Sequence, residues 1–185
     1  DTQNMKPIYA YEILANLERD KTVFVSPDIG QAKHLGPLVN MLKMDIAMIN
    51  KERTSDNESA RAQHMVGNVE DRDCWLIDDE TMSGGTLVEA ADFCITKGAR
   101  SPRAAICHPV LTSMDGLKRI EAHPLIKELL VTDTIPVPPE KRISKLRVRS
   151  VAPEFARAIE ILAALPGEDN SLDAFKESLY SPIND

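Results

Sequence analysis

Apolar runs of three to five residues recur along this 185-residue chain, each stopped by proline, glycine or polar residues. Most are followed by a stretch with helical spacing, and that alternation is the strongest constraint on the fold. Thr22–Ser26 (TVFVS) stops at Pro27 and Gly30, and Gln31–Lys43 then reads as a helix with Pro37 marking a kink or a late start. Asp45–Ile49 (DIAMI), Cys74–Ile77 (CWLI), Arg103–Cys107 (RAAIC) and Leu129–Val131 (LLV) read as further strands. Helices are expected over Ile8–Leu17, Leu87–Lys97 before Gly98, Gly116–Ala122 and Ala152–Leu165. Strands that are apolar without alternation are buried on both faces, as in a parallel sheet flanked by crossover helices. The expected class is α/β, with helices on both faces of a parallel sheet. Ligands of such sheets bind outside the carboxyl ends of the strands.

Composition excludes several functions. The 22 basic residues against 29 acidic ones leave a net charge of −7, which disfavours nucleic acid as a partner. The apolar runs are far too short to span a bilayer, so no membrane contact is expected. Cys74, Cys94 and Cys107 are odd in number, widely spaced and form no CxxC pair, which points to reduced thiols and a cytoplasmic setting. His34, His64 and His123 are too scattered for a metal site, and His108-Pro109 is either a ligand contact or an ordinary turn. The chain starts at Asp1 with no leader visible, so either its true N-terminus was removed or it is a piece of a longer protein. One domain is expected over residues 1–165, followed by an acidic appendage over 166–185.

The segment richest in chemistry is Trp75–Thr86 (WLIDDETMSGGT). An apolar strand delivers Asp78 and Asp79 to the sheet edge, and a hydroxyl- and glycine-rich turn opens a helix. Gly84 and Gly85 let the backbone approach an anion closely, and the free N–H groups of the helix start suit a phosphate monoester. Thr81, Ser83 and Thr86 add hydroxyl donors. Two carboxylates beside such a cradle suit ribose hydroxyls or a share in holding Mg²⁺.

DDETMSGGT after an apolar strand resembles the ribose-phosphate loop of the type I phosphoribosyltransferase fold. Val25–Gly30 (VSPDIG), Ile49–Arg53 (INKER), Cys107–Val110 (CHPV), Val131–Pro136 (VTDTIP) and Ser150–Ile159 (SVAPEFARAI) resemble, in order and spacing, the C-terminal part of ribose-phosphate diphosphokinases. The resemblance covers about Pro7 to Leu162 and implies a parallel-sheet type I phosphoribosyltransferase-like fold. It implies that Asp78, Asp79, Thr81, Ser83, Gly84, Gly85 and Thr86 hold ribose 5-phosphate or phosphoribosyl diphosphate. Ser26, Pro27 and Gly30 would form the diphosphate loop, and Asp28 would help bind Mg²⁺. Lys51 and Arg53 match the basic pair at the base of a flexible catalytic loop that stabilises the transferring phosphates, and the polar stretch after Arg53 has the composition of a lid.

Three positions depart from the family pattern. Gln31 stands where a second glycine is usual, Met82 where a third Asp is usual, and Glu52 where a third basic residue is common. Nothing in the chain matches the N-terminal half of such synthetases, which supplies most of the ATP site and the subunit contacts. The resemblance therefore implies ATP binding only if a second domain or chain completes the site, and it favours a homo-oligomer. The alternatives are a stand-alone phosphoribosyltransferase and a non-catalytic relative that regulates or scaffolds a synthetase.

Overall fold

A computed structural model describes residue 13 and residues 17–53 and 61–163. The helix expected over Ile8–Leu17 lies largely outside that range, as does the boundary expected at 165. The chain runs β1 (Thr22–Ser26), α1 (Ile29–Leu42), β2 (Asp45–Arg53), β3 (Arg61–Val66), β4 (Asp73–Thr81), α2 (Gly85–Thr96), β5 (Ser101–Pro109), α3 (Asp115–Ala122), β6 (Glu128–Thr132), β7 (Leu146–Arg149) and α4 (Ala152–Ala163). The strands form one 7-stranded sheet in the order β3-β2-β1-β4-β5-β6-β7. Neighbours pair in parallel throughout except β2 with β3, which is antiparallel.

The expected α/β architecture is therefore present, with a core on each side of the sheet. Because side chains alternate along a strand, Cys74 and Leu76 of β4 join Val23, Val25, Ala104 and Ile106 against α2 and α3. Trp75 and Ile77 join Phe24, Ala105 and Leu130 against Leu35, Leu38, Val39 and Leu42 of α1. Every residue of β1 is buried, and burying each of Val23, Phe24 and Val25 stabilises by roughly 1.5–3 kcal/mol. That two-sided burial is why these strands read as continuous apolar runs. No described helix is long and apolar enough to cross a membrane.

Some boundaries differ from the sequence expectation. The sheet is mixed, because β2 continues to Arg53 and turns back as β3. A two-stranded ribbon satisfies its backbone groups by cross-strand pairing and needs no apolar side chains, so KER and RAQ gave no strand signal. β7 (LRVR) was also not anticipated: it is a four-residue edge strand with two arginines. α1 begins at Ile29, so Gly30 and Gln31 lie in its first turn, and the helix continues through Pro37. Burial of Leu35, Leu38, Val39 and Leu42 against the sheet outweighs the lost hydrogen bond there.

Beyond the ends of β5 and β6, hydroxyls close the sheet edge. The buried Thr132 hydroxyl donates to the Cys107 carbonyl at 2.5 Å, and its oxygen accepts from the Thr134 amide at 3.2 Å. Thr134 Oγ1 also donates to Cys107 O at 2.9 Å and lies 2.9 Å from Nδ1 of His108. Thr132→Val keeps the branched shape and removes this link. It is expected to lower stability by about 1–3 kcal/mol, read as a shift of the urea midpoint without a change in slope.

Asp133 ties β6 to the start of α4, accepting a hydrogen bond from the Val151 amide at 2.8 Å. Burial acts to raise its pKa, but hydrogen bonds from the Ser150 hydroxyl, the Val151 amide and its own amide, with the charge of Arg149, outweigh burial and hold it below the ordinary value. A lowered folded pKa contributes stability that is complete above about pH 4 and lost as pH falls through the folded value. Asp133→Asn should therefore flatten the loss of stability below about pH 4, and equally steep acid limbs in the two proteins would remove Asp133 from that role.

Candidate functional site

The chain leaves β1 toward β2 on one side and leaves β4 toward β5 on the other, so the strand order reverses between β1 and β4. Connections that diverge from two adjacent strand ends leave a crevice between them, which is where open α/β sheets bind ligands. Val25 is in register with Leu76, so the Ser26–Gly30 turn leaves β1 where β4 passes from its apolar residues into Asp78 and Asp79.

β4 runs further than the sequence indicated. Asp78, Asp79 and Thr81 lie within the strand, with Asp78 opposite Ile106 and Thr81 opposite Pro109. The turn begins only at Met82. Pairing with β5 holds the strand extended after its apolar residues end, and that pairing has no signature in the local sequence. Asp78 and Asp79 are both half-buried. Alternation places Asp79 on the Trp75 and Ile77 face and Asp78 on the Leu76 face, and the Asp79 amide donates to Asp78 Oδ1 at 2.9 Å.

The turn is shaped by its own polar groups. Thr81 is buried, and its Oγ1 accepts a hydrogen bond from the Gly84 amide at 3.2 Å. The Gly85 amide donates a longer bond, 3.4 Å, to Ser83 Oγ. Gly84 has φ 79, in the left-handed region that favours glycine, and α2 starts directly after it without a side-chain cap. After Gly85, the amides of Thr86 and Leu87 precede the first intrahelical bond, from the Val88 amide to Gly84 O, and stand at the positive end of the helix dipole. Ser83 and Thr86 are exposed there.

The carbonyl side of the same turn is fixed from a distance. Thr81 O accepts from the Leu111 amide at 3.1 Å, and Met82 O accepts from the Thr112 amide at 2.5 Å and the Thr112 hydroxyl at 3.0 Å. Lys141 in turn donates from Nζ to Leu111 O at 2.5 Å. None of these partners was singled out from sequence, because each lies about 30 residues away from the group it holds. Met82 itself projects outward, 53% exposed.

On the β1 side, Ser26 and Pro27 are buried, and the Ser26 hydroxyl donates to Asp28 O at 2.7 Å, closing a tight turn. Asp28 is exposed, with Oδ1 3.1 Å from the point where a Cβ on Gly30 would stand. A side chain at Gly30 would crowd that carboxylate. Among the described residues no group of three or more His, Cys, Asp or Glu side chains is placed to hold a metal ion.

Lys51 and Arg53 stand elsewhere. They lie on β2 opposite Gln63 and Arg61, not in a loop. Ser26, the last residue of β1, pairs with Met48. The backbone of Arg53 is five residues further on, about 16 Å along β2 at a rise of ~3.3 Å per residue, and the turn at Met82 stands a similar distance along β4 from the residue level with Ser26. The structure thus sets the Ser26–Gly30 turn low in the crevice, with the end of β4 and the β2–β3 ribbon both extending past it. The stretch expected to be a lid is β-structured up to Arg53 and from Arg61; residues 54–60 lie outside the described range. A cavity of about 350 Å³ at the opposite edge of the sheet is lined by Trp75 with Arg103, Asp73, Glu128 and Arg147. Its charges are already paired, Arg103 with Asp73 and Arg147 with Glu128.

Residues 8–139 match the family described as the Phosphoribosyl transferase domain. The chain is 39% identical over 153 residues to a protein named Ribose-phosphate pyrophosphokinase from Caldanaerobacter subterraneus subsp. tengcongensis, covering 83% of this chain and 48% of that protein. It is 38% identical over 154 residues to one of the same name from Clostridium acetobutylicum, covering 83% and 47%. Among solved structures, the phosphoribosylpyrophosphate synthetase from Mycobacterium smegmatis matches with a TM-score of 0.71 at 30% identity, over 87% of this chain and 50% of that one. The chain spans about half the length of the curated relatives it matches.

The turn can be tested for rigidity through its neighbour α3. A Cβ on Gly116 would overlap the Ser83 carbonyl oxygen, whereas one on Gly85 would make only ordinary contacts, 3.5 Å from Ser83 Oγ and 3.8 Å from Arg119 Nη1. Gly116→Ala is expected to destabilise by about 1–3 kcal/mol in urea unfolding, and Gly85→Ala by much less. Equal midpoints for the two variants would show that α3 is not seated on the turn.

Proposed function

The chain belongs to the phosphoribosyl transferase domain family and groups within it with the ribose-phosphate pyrophosphokinases, and from that premise we propose that it is the sugar-phosphate half of such an enzyme. Its ligand is ribose 5-phosphate or phosphoribosyl diphosphate. The observation that carries this reading is the reversal of strand order between β1 and β4, where the Ser26–Gly30 turn leaves β1 beside the Asp78–Asp79 stretch of the strand that leads into the turn at Met82–Gly84.

The proposed roles follow from the chemistry of each group. The backbone N–H groups at the start of α2, with the Ser83 and Thr86 hydroxyls, hold the 5-phosphate. Thr81, buried and bonded to the Gly84 amide, acts by keeping the turn in shape. Asp78 and Asp79 accept hydrogen bonds from the ribose hydroxyls. Ser26, Pro27 and Gly30 form the turn that receives the diphosphate. Lys51 and Arg53 act when the ribbon bends over the site, where a phosphoryl group in transfer carries its charge on peripheral oxygens and is stabilised by cations placed around it.

Magnesium fits this donor set. Mg²⁺ is usually held by one or two carboxylates together with phosphate oxygens and water, not by an all-protein cage, and Asp28 offers an exposed carboxylate at the diphosphate turn. Bound there, it would neutralise charge on the diphosphate oxygens. In the family reaction the 1-hydroxyl of ribose 5-phosphate attacks the β-phosphorus of ATP, releasing AMP. The chain spans about half of its relatives, so the ATP site of this reading is completed by another segment or another chain, within a homo-oligomer. A second reading, a sugar-phosphate-binding relative without catalysis, is favoured by Met82, whose exposed thioether stands on the loop where a carboxylate is usual in the resemblance.

Isothermal titration with ribose 5-phosphate, phosphoribosyl diphosphate and ATP, each with and without Mg²⁺, tests the proposal. Sugar-phosphate binding without ATP binding is expected. Asp79→Asn should weaken ribose 5-phosphate by about tenfold or more, the scale of a charge-assisted hydrogen bond, while the urea midpoint stays unchanged. Unchanged affinity would remove Asp79 from the ribose site, and no binding of either sugar phosphate would overturn the reading as a whole.

A further inference from the structure

Between Asp78 and Thr86 the chain carries three carboxylates, Asp78, Asp79 and Glu80, and no cation. A phosphate dianion held there by backbone N–H groups and hydroxyls alone would face that negative charge uncompensated. We propose that Arg119 of α3 is a phosphate-binding residue of this turn, reaching it from the neighbouring helix. The inference rests on reading the turn as a sugar-phosphate site.

The geometry comes from the way α3 is seated. Its Gly116 lies against the Ser83 carbonyl and the Gly84 backbone so closely that no side chain fits between them. Residues three and four positions on share that face of the helix, which places Arg119 and Ile120 toward the same turn. Both arrive there. Ile120 Cδ1 lies 3.4 Å from the point where a Cβ on Gly84 would stand, and Arg119 Nη1 lies 3.8 Å from the equivalent point on Gly85. Ser83 Oγ is 3.5 Å from that same point on Gly85. The space left by the missing side chain of Gly85 is therefore bordered by a hydroxyl and a guanidinium, next to the first N–H groups of α2.

Arg119 is exposed, and among the described residues it takes part in no ion pair or hydrogen bond. The other charged residues of α3 are Asp115, Lys118 and Glu121; Glu121 is engaged by the amides of Ser144 and Lys145, and Asp115, four positions before Arg119 on the same side of the helix, forms no ion pair with it among the described residues. The planar fork of the guanidinium matches two phosphate oxygens at once. Lys118 precedes it on the helix and lies off the face defined by Gly116, Arg119 and Ile120.

The test is titration of the chain with ribose 5-phosphate across Arg119→Ala, Arg119→Lys and Lys118→Ala, with urea midpoints measured for each. Arg119→Ala should weaken ribose 5-phosphate by about 10- to 100-fold and reduce the salt dependence of binding. Arg119→Lys should recover part of the loss, as a point charge without the fork. Lys118→Ala, which changes net charge equally, should leave affinity within about twofold. Wild-type binding with equal affinities for Arg119→Ala and Lys118→Ala would overturn the role of Arg119 while leaving the sugar-phosphate reading intact. A wild-type chain that binds no ribose 5-phosphate would overturn both. If Arg119→Ala shifts the urea midpoint, Arg119→Lys with a wild-type midpoint and an intermediate affinity still supports the role, and wild-type affinity in that variant overturns the need for a guanidinium fork.

Discussion

Gly116 lets the first turn of α3 lie directly against the backbone of Ser83 and Gly84, and the shape of the candidate site depends on that contact. The turn between β4 and α2 is held on its carbonyl side by Leu111 and Thr112 and on its outer side by α3. Its Gly84 and Gly85 amides are met by the Thr81 and Ser83 hydroxyls of the turn itself, so the turn keeps its shape from both its own side chains and its neighbours. The helix is held at its far end as well. Lys145 donates to the carbonyls of Ile120 and His123, and Nε2 of His123 lies 2.9 Å from Asp92 of α2. Cations at a helix C-terminus complement its dipole, so the Lys145 bonds also stabilise the end of α3.

The two halves of the crevice differ in how they are held. The β4 side is braced by long-range hydrogen bonds and a close helix contact. The β1 side is a short turn made from its own residues, with Ser26 bonded to the carbonyl two positions on. That difference matches what each must do in the proposed chemistry. A 5-phosphate is an anchor, best met by a preorganised cradle that loses little freedom on binding. A diphosphate with a metal ion is the part that changes during reaction.

Much of this architecture was legible in the sequence, for a physical reason that also sets the limit. β1, the apolar part of β4 and β5 are buried on both faces, so their residue choice is dictated position by position. The Asp78–Thr86 turn was legible because glycine at φ 79 and a hydroxyl-rich helix start leave few other sequences possible. The antiparallel ribbon was not, because Lys51, Glu52 and Arg53 meet Gln63, Ala62 and Arg61 through backbone bonds that any side chain permits. Nor was the extension of β4 through Thr81, which depends on a partner strand 28 residues later. The braces from Thr112, Lys141 and Gly116 escaped for the same reason: local spacing cannot report a contact made by tertiary packing.

The departures from the resemblance fall on three different elements. Met82 is exposed and touches its surroundings through its carbonyl, which any residue supplies. Gln31 lies in the first turn of α1, and Glu52 lies on the ribbon. Met82 can vary with little effect on the turn, whose shape depends on its backbone. In the proposed reading, Met82 leaves one carboxylate fewer on the sugar side than the resemblance has, and Glu52 places one more beside the basic pair, a balance that would favour holding a sugar phosphate over stabilising a transferring diphosphate. The proposed role of Arg119 would push in the same direction, because a cation from α3 would strengthen the anchor on a 5-phosphate at the start of α2.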